Sequence, residues 1–327
     1  MLQSMRLFAT LLLAAVLAPA QVKITQETDR VSVEIDGKPF TDFVLRGGNA
    51  MKPYLYPLRT ASGKAVTRHF PMETVAGEPN DHPHQRGLWF GHEKVNGFDF
   101  WNNESNYTTA TRGTIQVDKI TEAKGGKKSG TIGAIMTWSG PDGTKLLEET
   151  RKMTFTADGD LRIIDIDINL KALTSITFGD AKDGVFGIRL ARSLQEVSAG
   201  GKTGDTMEHT GMLVNADGGE HEKATWGKLS NWIDDSGEVD GEKVGLTILE
   251  HPSNSRRSYW HVRGYGLVAA NPFGSTVFDP TAKDASKKDV PLESGGTMRF
   301  RYRVVIHPGD AKSAGIAKIW EQYSKLP

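Results

Sequence analysis

Period-two alternation of apolar and polar residues dominates this sequence and sets what the chain can fold into. Val31, Val33 and Ile35 alternate with polar residues, as do Ile132, Ala134, Met136 and Trp138. Ile164, Ile166, Ile168 and Leu170 point one way while Asp165, Asp167 and Asn169 point the other. Met298, Phe300, Tyr302, Val304 and Ile306 repeat the pattern near the end. Successive side chains of a strand face opposite sides of a sheet, so each run reads as a strand with one buried face. Asp36-Gly37-Lys38-Pro39, Pro141-Asp142-Gly143 and Ala157-Asp158-Gly159-Asp160 punctuate the runs. Asp-Gly steps reach the positive φ of tight hairpins, so neighbouring strands are predicted to be antiparallel. The expected architecture is all-β: one large antiparallel β-sandwich over residues 21–327. Gly264-Tyr265-Gly266-Leu267-Val268 reads as a further strand. Ile316, Ile319, Trp320 and Tyr323 fall at helical spacing and predict a C-terminal amphipathic helix capping the sandwich.

The first twenty residues read as targeting rather than fold. Arg6 precedes an apolar run over residues 7–17, too short to span a bilayer, and Ala18-Pro19-Ala20 ends it with small residues. This is the pattern of a secretory signal peptide, with the mature chain expected to begin at Gln21. Periplasmic or secreted localisation follows, with no membrane partner after cleavage.

Composition narrows the function. Of the 327 residues, 40 are Lys or Arg and 40 are Asp or Glu. With charge balanced and no basic block, a nucleic-acid partner is not expected. There is no Cys, so disulfides, thiolate nucleophiles and iron–sulfur clusters are excluded. Gly200-Gly201-Lys202-Thr203 imitates part of a phosphate-binding loop, but Glu196 stands where its first Gly is required.

Two clusters depart from sheet patterning. The first runs from Thr67-Arg68-His69-Phe70-Pro71, through Asp81-His82-Pro83-His84-Gln85-Arg86-Gly87-Leu88-Trp89-Phe90-Gly91-His92-Glu93, to Asn96-Gly97-Phe98-Asp99-Phe100-Trp101. Four of the nine histidines lie in it, within residues 69–92. Even scatter would place fewer than one there. The second comprises Glu250-His251-Pro252-Ser253-Asn254, Tyr259-Trp260-His261-Val262-Arg263 and Asn271-Pro272-Phe273-Gly274. Loops rich in titratable and aromatic groups tend to carry function. In one sandwich both clusters can line one concave face.

Such a face suits a small carbohydrate. Aromatic faces stack on the C–H faces of sugar rings, while Arg, Asn and His hydrogen-bond hydroxyls. Trp101 and Trp260 are expected to stack, and Arg86, Arg263, Asn96 and Asn271 to orient hydroxyls. His titrates near neutrality, so His84 and His261 are the expected proton carriers. Asp81, Glu93 and Glu250 each adjoin a His and are candidate carboxylates. No cofactor is required by this chemistry. A divalent metal is the alternative: His82 and His84 can share one side of an extended chain, with His69 or His92 completing a site.

The strings around residues 81–101 resemble the exported bacterial family labelled "methane oxygenase PmoA". Lys52-Pro53-Tyr54-Leu55-Tyr56-Pro57-Leu58, Trp260-His261-Val262-Arg263 and Asn271-Pro272-Phe273-Gly274 are similar to that family too, so the likeness spans roughly residues 25–310. Gln85 departs from it, standing where many members carry His. The resemblance implies a galactose mutarotase-like supersandwich in exported proteins linked with plant-sugar breakdown. An enzyme that hydrolyses, eliminates or epimerises a sugar is the leading expectation. A non-catalytic sugar-binding module and the metal-dependent oxygenase of the label are its rivals.

Overall fold

The computed structural model describes residues 21–78, 80–196, 209–281 and 289–327. The expected leader and the Gly200-Gly201-Lys202-Thr203 string lie outside the described residues. The alternating runs form strands where their pattern places them. The chain opens with β1 (Val22–Gln26), β2 (Arg30–Ile35), β3 (Lys38–Val44), β4 (Tyr54–Tyr56) and β5 (Leu88–His92). A long meander follows through β6 (Thr114–Lys124), β7 (Ser129–Ser139), β8 (Lys145–Asp158) and β9 (Leu161–Ala172). Next come β10 (Ile176–Phe178), β11 (Gly184–Arg189), β12 (Met212–Asn215), α1 (His221–Thr225), β13 (Trp232–Val239) and β14 (Glu242–Glu250). The last part holds β15 (Tyr259–Arg263), β16 (Leu267–Asn271), α2 (Ser275–Phe278), β17 (Val290–Leu292), β18 (Thr297–Pro308) and α3 (Ile316–Tyr323).

Two eight-stranded antiparallel sheets result. One has the order β1-β2-β3-β4-β5-β11-β16-β15, the other β12-β13-β14-β18-β9-β8-β7-β6, and β10 pairs with β17 beside them. The inward residues of the alternating runs meet in one core between the two. Phe186 of the first sheet stacks on Tyr302 of the second at 4.4 Å. Phe90 meets Trp138 edge-on at 5.8 Å and Phe300 at 6.2 Å. Removing each such side chain from water contributes about 1.5–3 kcal/mol, so a chain without disulfides is held by packing. The expected antiparallel β-sandwich is what the strands build.

The C-terminal helix forms over Ile316–Tyr323 and covers the outer face of the second sheet. Its Ile316 and Tyr323 pack on Trp232, Leu249 and Val305. Of the expected strand over residues 264–268, Leu267 and Val268 do open β16, while residues 264–266 form the hairpin turn between β15 and β16. Gly266 has φ of 85°, which an extended strand cannot hold. No helix among the described residues is long and apolar enough to cross a membrane.

Sheet register then positions the site. Tyr54, Trp89, Gly187, Ala269 and His261 are direct partners across β4, β5, β11, β16 and β15. They share the face turned away from the core. Gly187 and Ala269 keep the middle of that row low. A Cβ on Gly187 would come within 2.6 Å of Trp101 and 2.9 Å of Trp89. The indole of Trp101 fills this trough, edge-on to Trp89 at 4.9 Å.

Candidate functional site

The outer face of the first sheet carries a second, smaller apolar cluster of Tyr54, Tyr56, Trp89, Trp101, Leu267 and Ala269. Polar groups from four segments lie beside it. His261 comes from β15, Asp183 from the residues leading into β11, His82 and His84 from the loop before β5, and Tyr265 from the β15–β16 turn.

His82 joins the two sequence clusters. It adopts φ of 46°, a left-handed conformation rare outside glycine. Its ring stacks on Tyr265 at 5.3 Å and stands edge-on to His84 at 5.7 Å. Nδ1 lies 3.1 Å from the Asp81 carboxylate. Asp81 also accepts from Arg68 at 2.5 Å and from Arg189 at 3.2 Å. Burial pushes the Asp81 carboxyl up. The His82 contact and the two guanidinium charges outweigh it and hold Asp81 well below the usual range. Arg189 lies over the Tyr265 ring at 4.4 Å and donates to Gln85. Gln85 is thus a structural acceptor beneath the histidine loop.

His261 is the most exceptional group on this face. It is 1% exposed, and neither ring nitrogen completes a well-formed hydrogen bond among the described residues, although the Lys182 main chain faces the ring. A buried polar atom without a partner costs roughly 1–3 kcal/mol, so such atoms collect where a ligand supplies the partner. Asp183 Oδ1 lies 3.5 Å from His261 Nδ1. Burial, with the Arg263 and Lys182 charges, lowers His261 to about 3, so the ring is neutral near pH 7. Burial moves Asp183 the other way, raising its carboxyl above the ordinary range. Glu93, likewise raised by burial and by Asp183, braces that residue: its N–H donates to the Asp183 carbonyl at 2.9 Å.

His84 stands next to His82. It is 6% exposed, and Nδ1 lies 2.8 Å from the Tyr107 hydroxyl. Burial, and then the Lys52 charge, hold it well below its ordinary value. Lys52 is buried beneath, donating to the Trp101 carbonyl at 2.6 Å and Asn103 Oδ1 at 2.5 Å. Burial lowers it to about 7.

The remaining expected residues fall into three groups. Asn271 belongs to the site as a support: its amide donates at 2.8 Å to the carbonyls of Ala181 and Lys182, fixing the residues before Asp183. Arg263 stands at the margin, donating to Glu222 of α1 at 2.8 Å. Arg86, Asn96, Trp101 and Trp260 do not take the places expected of them. Arg86 is buried in a two-pronged pair with Glu104, at 2.9 and 2.5 Å. Asn96 is an exposed clip, donating to the Ser175 carbonyl at 3.0 Å and accepting from Thr177 N–H at 2.7 Å. Trp260 points into the core and is 0% exposed, its indole N–H on the Ser230 carbonyl. Trp101 is 0% exposed as well, so neither indole offers a face to a sugar. Tyr265 and Tyr107 are half-buried, the first packed against His82 and Arg189 and the second edge-on to His84.

The four histidines of the metal alternative do not converge. His92 faces the core, donating from Nε2 to the Gly179 carbonyl at 2.8 Å, and His69 pairs with Glu78 at 3.3 Å. Among the described residues no group of three or more His, Asp or Glu is placed to hold a metal ion. Glu250 and His251 also lie elsewhere. Glu250 accepts from Arg257 and Ser258 on the second sheet, and His251 packs on Tyr323 of α3.

Sequence reasoning missed Asp183, Tyr265, Tyr107 and Lys52. A signal for Asp183 was present: it ends a polar string and directly precedes the buried run of β11, so a strand places it at a fixed height on the sheet.

These features define an antiparallel sandwich protein with an imidazole–carboxylate site on the outer face of one sheet. Over residues 30–321 the chain belongs to a family of unknown function, DUF6807. No curated protein matches it in sequence. Similar solved structures include the α-galactosidase from Lactobacillus brevis, with 9% identity and TM-score 0.42, covering 92% of this chain and 42% of that one. A galactose mutarotase related enzyme from Lactobacillus acidophilus has 10% identity and TM-score 0.34, covering 88% and 97%. A heparan sulfate lyase from Pedobacter heparinus has 9% identity and TM-score 0.36, covering 90% and 36%. This chain spans about two fifths of the α-galactosidases it resembles.

Proposed function

We propose that this chain is an exported enzyme acting on a small carbohydrate by acid–base chemistry. The observation that carries this reading is the His261–Asp183 pair: a buried imidazole with neither nitrogen in a well-formed hydrogen bond, 3.5 Å from a carboxyl raised by burial. A polyhydroxyl ligand reaches the pair from the side of Asp183, whose side chain is 20% exposed, and supplies a partner to the buried imidazole behind it. Asp183 exchanges a proton with a sugar hydroxyl or ring carbon. The neutral His261 donates to the carboxylate or to an adjacent hydroxyl. Catalytic hydrogen bonds are often long before substrate binds and shorten on closure, so 3.5 Å is compatible with that role. His82 and His84 stand nearby as further hydrogen-bonding groups, with Tyr265 supporting His82 by stacking.

The test is product formation from a panel of glycosides and free sugars by the intact chain, with Asp183→Asn and His261→Ala beside it. Turnover lost in both variants supports the assignment. Binding by calorimetry with no product from any sugar makes the protein a sugar-binding module instead. Turnover that depends on added metal and O2 returns the oxygenase reading.

A further inference from the structure

Building on the sugar-enzyme reading, we propose that Tyr107 is a positioning residue. It holds His84 in the tautomer whose Nε2 carries the proton, making His84 a neutral hydrogen-bond donor to a substrate oxygen rather than a base.

The Tyr107 hydroxyl and His84 Nδ1 are 2.8 Å apart, and the two rings meet edge-on at 6.1 Å. One of the two atoms must donate. The main-chain N–H of His84 also faces the Tyr107 oxygen, and among the described residues the hydroxyl's own proton has no acceptor other than His84 Nδ1. Nδ1 of a neutral imidazole is the acceptor within reach, and the ring proton then sits on Nε2. The surroundings keep both groups in these forms. Tyr107 is pushed up to about 12 by burial and by the Glu104 charge, so it retains its proton at neutral pH. Burial first, and then the Lys52, Arg68 and Arg189 charges, oppose an imidazolium at His84.

A neutral imidazole with its N–H turned to the substrate stabilises an oxygen that gains negative charge. It does this without giving up a proton in the ground state. That chemistry fits sugars reacting through a carbonyl or through an alkoxide at the anomeric carbon. The proton is then taken by Asp183, so the two histidines expected to share the acid–base work divide into a donor, His84, and a partner of the base, His261.

The experiment is 15N NMR of the full chain labelled at histidine, in which protonated and unprotonated ring nitrogens are separately resolved, on the wild type and Tyr107→Phe. His84→Gln assigns the resonances. The expected wild type shows a protonated Nε2 and an unprotonated Nδ1. Tyr107→Phe should shift His84 toward a mixture of tautomers. With a substrate in hand, kcat should fall about tenfold to a thousandfold while KM changes little. A wild-type His84 protonated at Nδ1, or a tautomer unchanged in Tyr107→Phe, overturns the proposal. Should Tyr107→Phe not fold, the wild-type spectrum decides alone. The tautomer is read without substrate, so a failure to find any sugar turnover would sink the enzyme reading and leave this measurement separate.

Discussion

Asp183 and His261 sit on the outer face of one sheet with Oδ1 and Nδ1 3.5 Å apart, although 78 positions separate them in the chain. The pairing of β11 with β16 and of β16 with β15 brings them together. Each depends on the other's environment. Asp183→Asn keeps the shape and removes the charge, so turnover should fall about 10²–10⁴-fold with far-UV circular dichroism unchanged. A variant with full turnover would remove Asp183 from the reaction.

The pH profile gives an independent reading of the same carboxyl. Burial raises Asp183 above the ordinary carboxylate range. If its ionised form is the active one, activity rises with pH through that raised value. The acid limb of kcat/KM should therefore lie above the ordinary carboxylate range and vanish in Asp183→Asn. A limb at the ordinary carboxylate position in the wild type would contradict the burial argument.

Gly187 tests the floor of the site. A methyl there would lie 2.6 Å from Trp101 Cη2 and 2.9 Å from Trp89, against two indoles that cannot both yield. Gly187→Ala should cost about 1–3 kcal/mol through overpacking and displace Trp101. Urea unfolding with tryptophan fluorescence measures both effects. Unchanged stability and emission would mean the trough is looser than the packing implies.

The fold was legible because hydrophobic period and turn chemistry are local. Met298 through Ile306 alternate along β18 as the sequence dictates, and Ile316 to Tyr323 turn one face to the second sheet. The site was legible only in part. His82, His84 and His261 stood out as residue types, but which face a strand residue takes depends on register. Trp260 and His261 are adjacent, so one must face the core and the other the site. The sequence does not say which indole will be 0% exposed. The position of Asp183 before β11 was legible, but its pairing with His261 was not, because that partner is 78 positions away in the chain. Arg86 was misread because its Glu104 partner turns a promising donor into a neutral buried pair.

That pair makes a stability prediction. Arg86 and Glu104 side chains are 6% and 1% exposed. Glu104→Gln leaves a buried guanidinium without its counter-charge. The expected cost is about 3–5 kcal/mol, seen as a lower urea midpoint with unchanged slope. A loss under about 1 kcal/mol would show the cluster to be more hydrated than its burial indicates.

His92 supplies the last test, because its effect on stability has a definite sign. The ring lies in the core, and burial lowers it from 6.5 to about 4, partly offset by the Gly179 carbonyl it donates to. Above pH 6.5 it is neutral whether folded or unfolded and contributes no pH dependence. Between pH 6.5 and 4 the unfolded chain takes up a proton that the folded chain refuses, so stability falls as pH falls. The full loss is about 3 kcal/mol, reached below pH 4. His92→Gln keeps a donor for the Gly179 carbonyl and cannot titrate. It should be less stable than wild type at pH 7 through imperfect packing, yet lose less on going to pH 4.5. Urea unfolding of both proteins at the two pH values measures the difference, and parallel losses would mean that another group carries the acid sensitivity.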